Sequence, residues 1–283
     1  LGTSAGDNIT TGSYNVVIGM TDVTATGDNQ LSISSGGGAV TWLTGDSSGV
    51  VNIPGSLTVA GSAVGGASAI GGLSDAITTA TSNIGLGSAA LDSLTASSGN
   101  YNVAVGINAG TAITTGDNHV AIGYNALKST TTQSEATAVG YGAGEDLAGG
   151  TFGSTFIGVR SGGNVTTGWG NTALGHDSFW GENAAATGSQ NVAVGYQAMR
   201  GATSSTAISG STNVAVGSNA MEDLTSGASN VAVGHQSLTS LTTGARNVAV
   251  GYRAGDAFDT ESDNIAIGYD ALGGAVAGGE KNI

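Results

Sequence analysis

The sequence predicts an all-β protein, a parallel β-solenoid with coils of about 17 residues. Three observations predict it. One short phrase recurs at near-constant spacing, which is the signature of a repeat architecture. The recurring unit is too short for a helix pair and is rich in Val, Ile, Thr and Gly, so each unit reads as one or two short strands plus turns. Gly supplies 51 of 283 residues and Pro only one. That Gly share is well above the ordinary roughly 7%.

The phrase Asn-Val-Ala-Val-Gly stands unaltered at 102–106, 191–195, 213–217, 230–234 and 247–251. Near-copies end at Gly19, Gly87, Gly123, Gly140, Gly158, Gly175 and Gly268. From Gly87 to Gly268 the ten steps are 19, 17, 17, 18, 17, 20, 22, 17, 17 and 17. The long steps coincide with Ser/Thr/Ala/Gly insertions, so a fixed coil tolerates loops. Three residues after the motif Gly, in the copies from Gly87 onward, stands Ala or Ser, and seven after it most copies carry an apolar residue such as Ile113, Leu147, Val165, Leu224, Leu241 or Phe258. Thr-Thr-Gly follows at 114–116, 166–168 and 242–244, where Gly reads as a turn needing positive φ.

In-register units stack, and neighbouring coils pair backbone to backbone at roughly 4.8 Å. No single coil buries its own face, so stability comes from stacking. In Val-Ala-Val the two Val point one way and Ala the other. The larger Val face is expected inside the coil. The outward column is then Ala104, Ala121, Ala138, Ala173, Ala193, Ala215, Ala232, Ala249 and Ala266. A strand apolar on both faces is normally buried on both, so this column is expected to be a subunit interface, locally distorted by Phe156. The Asn that opens the phrase (Asn102, Asn191, Asn213, Asn230, Asn247, Asn264) is expected either to form a hydrogen-bonded ladder between coils or to serve as a left-handed turn residue.

The chain is expected to divide into three parts. Residues 1–34 end one solenoid block, 35–82 are a β connector, and 83–283 are a main block of eleven repeats. Within the connector, 39–43, 49–53 and 56–61 read as short strands, and 73–82 fits one short helix. Gly2 lies one period before Gly19, and Asn282-Ile283 opens another copy. Both ends are therefore expected to be cuts inside a longer protein.

The net charge is -14, which disfavours nucleic acid because phosphate binding needs a basic face. Zero Cys excludes disulfides, thiolate metal sites and Cys nucleophiles. No run of 18 apolar residues predicts a spanning helix, so no membrane partner is expected. No Ser-His-Asp set or paired-carboxylate arrangement stands out, so the chain is expected not to be an enzyme and to need no cofactor or metal. His119, His176 and His235 read as surface or ladder packing, with a ring about an axis as the sharper alternative. Gly-Asp-Asn at 6–8, 27–29 and 116–118 reads as turn chemistry rather than a calcium loop. The acidic pairs Glu145-Asp146 and Glu222-Asp223 read as solvated turns. Tyr124, Tyr141, Tyr196, Tyr252 and Tyr269 follow the motif Gly and form a stripe, read either as stacking between coils or as a surface for sugars.

Asn-Val-Ala-Val-Gly-Tyr-x-Ala is similar to the head repeat of YadA-like trimeric autotransporter adhesins. Thr-Thr-Gly-Ser-Tyr-Asn-Val-Val-Ile-Gly at 10–19 and Asn-His-Val-Ala-Ile-Gly-Tyr-Asn-Ala-Leu at 118–127 more closely resemble repeats of bacteriophage tail fibres. Ile-Pro-Gly-Ser-Leu-Thr-Val at 53–59 resembles strand-turn units of fibre shafts. The resemblance implies a left-handed β-roll, a homotrimer about one axis, and an attachment role. It implies a virion, extracellular location, with other fibre or baseplate proteins as partners and a host-surface glycan or protein as an allowed one. The alternatives are an adhesin head on a bacterial outer surface and an ice-binding solenoid.

Overall fold

The structure is a computed structural model that describes residues 82–94, 99–149, 153–181, 184–201, 207–274 and 279–283. Before residue 82 it describes residues 11 and 14–18 and the backbone of six short strands. The chain divides into two compact units, Leu1–Leu73 and Ser74–Ile283. The described residues contain strands, turns and bends and no helix.

In the first unit β1 (Val16–Ile18) pairs parallel with β2 (Leu31–Ser34), as one solenoid coil pairs with the next. The direction then reverses. β3 (Thr41–Gly45) runs antiparallel to β2, and β4 (Val51–Asn52) antiparallel to β3. β5 (Leu57–Val59) and β6 (Ser62–Val64) form a separate antiparallel pair. Short strands thus occur at 41–45, 51–52 and 57–59, overlapping the three short strands expected at 39–43, 49–53 and 56–61. The Gly run at 36–38, Pro54-Gly55 and the Gly-Asp-Asn triplets at 6–8 and 27–29 lie outside the described residues.

The second unit starts earlier than residue 83, because β7 (Ala76–Ile77) already belongs to its sheet. It pairs antiparallel with β8 (Ile84–Leu86). The helix expected over 73–82 is therefore corrected at Ala76 and Ile77; apart from Ser82, the rest of that span lies outside the described residues. The apolar spacing suits a helical turn, but the free edge of β8 offers unpaired backbone donors and acceptors. Pairing there satisfies both strands.

From β8 onward each coil contributes one three-residue strand. In order these are β9 (Val103–Val105), β10 (Val120–Ile122), β11 (Thr137–Val139), β12 (Thr155–Ile157) and β13 (Thr172–Leu174). There follow β14 (Val192–Val194), β15 (Val214–Val216), β16 (Val231–Val233), β17 (Val248–Val250) and β18 (Ile265–Ile267). All are parallel, each pairing only with its sequence neighbours, and the register never slips: Ala104, Ala121 and Ala138 lie in line, as do Ala232, Ala249 and Ala266. This is a parallel β-solenoid.

The strand faces are the reverse of the expectation. Ala104, Ala121, Ala138, Ala173, Ala193, Ala215, Ala232 and Ala249 are fully buried inside their own coils, and Ala266 is 1% exposed. The flanking Val, Ile and Leu point outward, with Ile122, Leu174 and Ile267 among the exposed residues. The Ala column is therefore not a subunit interface. The reason is volume. The interior is already filled from the opposite turns by Leu91, Leu127, Phe179, Met199, Met221 and Leu238, four after the motif Gly, and by Ile113, Leu147, Leu224, Leu241 and Phe258, seven after it. Only a methyl fits on the strand side. Phe156, the large residue in the Ala column, is also fully buried rather than perturbing an outer contact.

Two glycine columns set the spacing of the coils. The motif Gly has φ between +126° at Gly87 and +141° at Gly140, a region open essentially to Gly. A Cβ on Gly87 would stand 2.7 Å from the carbonyl oxygen of Gly106, and one on Gly106 would stand 2.5 Å from that of Gly123. The Gly after Thr-Thr is different. Gly116, Gly168 and Gly244 are not left-handed, which corrects the reading of a positive-φ turn. Their side chains are absent because a Cβ would collide with the carbonyl of the next coil, at Gln133, Gly188 and Glu261 respectively.

Candidate functional site

The Asn column is a ladder. The backbone N–H of Asn102 donates to Asn83 Oδ1 at 2.7 Å, and Asn102 Nδ2 donates to the Gly116 carbonyl at 2.9 Å. The same rung repeats upward. The N–H of Asn191 donates to Asn171 Oδ1, that of Asn213 to Asn191, of Asn230 to Asn213, of Asn247 to Asn230, of Asn264 to Asn247 and of Asn282 to Asn264. Each Nδ2 also finds a carbonyl, such as Gly227 for Asn213 and Gly244 for Asn230. Apart from Asn282, these side chains are buried, so their donors and acceptors must be met inside the protein. The turn alternative does not hold, because the left-handed residue is the one before each Asn, as at Tyr101, Gln190, Thr212 and Ser229.

The outward side of the sheet is aliphatic. The two rows flanking the buried Ala run Ile84, Val103, Val120, Thr137, Thr155, Thr172, Val192, Val214, Val231, Val248, Ile265 and Leu86, Val105, Ile122, Val139, Ile157, Leu174, Val194, Val216, Val233, Val250, Ile267. No ionisable residue interrupts either row. Ile267 is 67% exposed and Leu174 45%.

Beside this face runs the aromatic stripe. Tyr124 stacks on Tyr141 with centroids 5.2 Å apart, His235 on Tyr252 at 5.4 Å, and Tyr252 on Tyr269 at 5.1 Å. His176 meets Tyr196 at 5.6 Å in a tilted pair. Stacking between coils is thus the observed arrangement. Tyr252 is covered by a ring on each side, whereas Tyr124, Tyr141, Tyr196 and Tyr269 each have one aromatic partner among the described residues, and Tyr269 is 80% exposed. His176 and His235 belong to this stripe, whereas His119 belongs to the Asn ladder.

Two and five residues after the motif Gly a polar ladder crosses the coils. Asn125 Nδ2 donates to Glu145 Oε1 at 2.8 Å, and Lys128 pairs with the same oxygen at 3.2 Å. Arg160 makes a two-pronged pair with Asp177 at 2.8 and 3.0 Å, and its guanidinium lies 4.2 Å from the centre of the Trp180 ring. Asn219 donates to Glu222, which also pairs with Arg200. Glu145 and Glu222 are therefore partnered rather than merely solvated, and the more exposed Lys128–Glu145 pair contributes little. Their neighbours Asp146 and Asp223 are held above the usual carboxylate range, first by partial burial and then by the adjacent Glu.

Ser129, Asp146, Ala148, Asn164, Thr166, Ala184 and Ala185 line an open cleft of about 400 Å³. Among the described residues no group of three or more His, Cys, Asp or Glu is placed to hold a metal. Among them, too, no helix is long and apolar enough to cross a membrane. The chain matches no protein-family model, no curated protein and no solved structure.

Proposed function

We propose that the chain is a structural and adhesive segment of a bacteriophage tail fibre, acting as a rigid rod of three copies that supports attachment to a host surface. The observation that supports this best is the uncharged aliphatic face of β8–β18, on a chain whose net charge is -14. An uncharged face of this length, aliphatic but for Thr137, Thr155 and Thr172 in one row, is a contact surface in soluble proteins, because leaving apolar area in water costs free energy in proportion to that area. A second copy carries the same rows at the same coil spacing, so Val and Ile of one chain pack between those of another. The subunit contact thus moves from the Ala column to the Val/Ile rows. The number three comes from the likeness to fibre and adhesin repeats. The mechanism is geometric. Stacked coils give stiffness, and many equal weak contacts give avidity.

Sedimentation velocity and negative-stain imaging test the proposal. The expected result is a short rod with the mass of three chains. A monomer at micromolar concentration overturns it. Val233→Asp with Val250→Asp should lower the mass to one chain without changing the far-ultraviolet circular dichroism.

A further inference from the structure

We infer that His119 is an acid-sensitive joint in the ladder that fastens one coil to the next. His119 stands at the Asn position of its coil and is 1% exposed. Its backbone N–H donates to Asn102 Oδ1 at 2.9 Å, as an Asn would at that rung. The ring then imitates an amide. Nε2 lies 2.7 Å from the Gln133 carbonyl, where Asn Nδ2 meets a carbonyl in other coils. Nδ1 accepts the backbone N–H of Ala136 at 3.2 Å, where Asn Oδ1 accepts the next rung.

The imitation works in one protonation state only. Nδ1 must be bare to accept, so the proton sits on Nε2 and the ring is neutral. A second proton would set the Nδ1–H against the N–H of Ala136, donor facing donor. An Asn rung has no such failure, because an amide does not titrate. Beside this joint the two coils are held by backbone bonds, Val120 N–H to the Ala136 carbonyl at 2.9 Å and Glu135 N–H to the Asp117 carbonyl at 2.9 Å, and Ala136 carries no side-chain acceptor for the coil that follows.

The surroundings fix the direction of the response. Asp117 is the charged group felt at the ring, and it favours the proton. The coil before presents Asn102, and the coil after presents Gln133 and Ala136, none of them ionisable; Glu135 beside Ala136 is exposed. Burial outweighs Asp117 and the two backbone contacts, and holds the ring below its ordinary 6.5. The joint is therefore closed at neutral pH and opens in acid, loosening β10 from β11 while the Asn rungs stay closed. This inference does not depend on the fibre reading.

Amide hydrogen exchange on the full chain, corrected for intrinsic rates, tests it. Between pH 6.5 and the ring's folded-state pKa, protection of the Ala136 amide should fall about tenfold per pH unit relative to the Asn247 amide. His119→Asn should hold that ratio constant. A constant ratio in the unsubstituted protein, or the same fall in His119→Asn, overturns the joint. A second reading needs no variant: nitrogen NMR of the imidazole at pH 7.5 should show the proton on Nε2, and a proton on Nδ1 overturns the inference.

Discussion

Gly162 exists to admit the ring of Phe156. A Cβ at residue 162 would stand 2.5 Å from Phe156 Cε1, and one at Gly144, a coil earlier, would stand 3.0 Å from Phe156 Cδ2. Both glycines occupy the position four after the motif Gly, where most other coils carry Leu, Met or Phe and two, at Gly110 and Gly255, carry Gly beside a large residue three later, Ile113 or Phe258. One large residue entering from the strand side is thus matched by two missing side chains opposite it. Gly162→Ala should destabilise by about 1–3 kcal/mol through overpacking. Phe156→Ala should cost about 3–5 kcal/mol through the cavity it leaves. Denaturant unfolding of both variants and of the double variant measures the coupling, and additivity of the two would contradict the packing described.

Asn230 carries two rungs at once, donating to Gly244 and accepting from the backbone of Asn247. Asn230→Ala strands both partners inside the protein. The expected loss is on the order of 3 kcal/mol, since each unmet buried group costs roughly 1–3 kcal/mol. Asn230→Asp should be no better, because a carboxylate there cannot donate to the Gly244 carbonyl. Retention of wild-type stability by the Asp variant would count against the ladder.

Gly244 has an ordinary backbone but no room for a methyl group, because the Glu261 carbonyl lies against it. Gly274, near the end of the same block, has nothing within 4 Å of an added Cβ. Gly244→Ala should lower the melting temperature by several degrees, and Gly274→Ala should leave it nearly unchanged. Equal effects would show that close approach does not select Gly at 244.

The pH dependence of global stability follows from the same groups. His119 binds its proton less readily folded than unfolded. Between its folded-state value and 6.5 the unfolded chain carries more protons, so stability rises with pH there. The contribution is complete above 6.5 and is lost as pH falls toward the folded-state value. Asp146 and Asp223 act in the opposite sense, since their raised carboxyls favour the folded state as pH falls toward 3.8. The informative quantity is therefore a difference. Melting temperature should drop more between pH 7 and pH 5 in the unsubstituted protein than in His119→Asn, and parallel drops would refute the assignment.

The period, the parallel pairing and the Asn ladder are legible in the sequence because in-register stacking turns a repeat directly into a column. The direction of the strand faces is not. Val-Ala-Val is apolar on both sides, and side-chain size is a poor guide to which side is enclosed when a coil has room for only one methyl. A signal was present nonetheless. The Leu, Met and Phe four after the motif Gly, together with the apolar column seven after it, already fill the interior. Phe156 between Gly144 and Gly162 marks a coil whose filling comes from the strand side. His119 lies in the Asn column by its spacing from Gly123, so ladder packing is legible there, but the bonding of its ring is not. Only the positions of Gln133 and Ala136 reveal that its two ring nitrogens do the work of an amide.

The unbroken register also governs dimension. Gly195 and Gly217 are separated by 22 residues and Gly217 and Gly234 by 17, yet β14, β15 and β16 pair in the same alignment. The extra residues leave the strand register untouched, and the advance per winding stays at roughly 4.8 Å. Length along the stack is therefore counted in windings rather than in amino acids. Ornament on the flank can grow or shrink without moving whatever the far end carries.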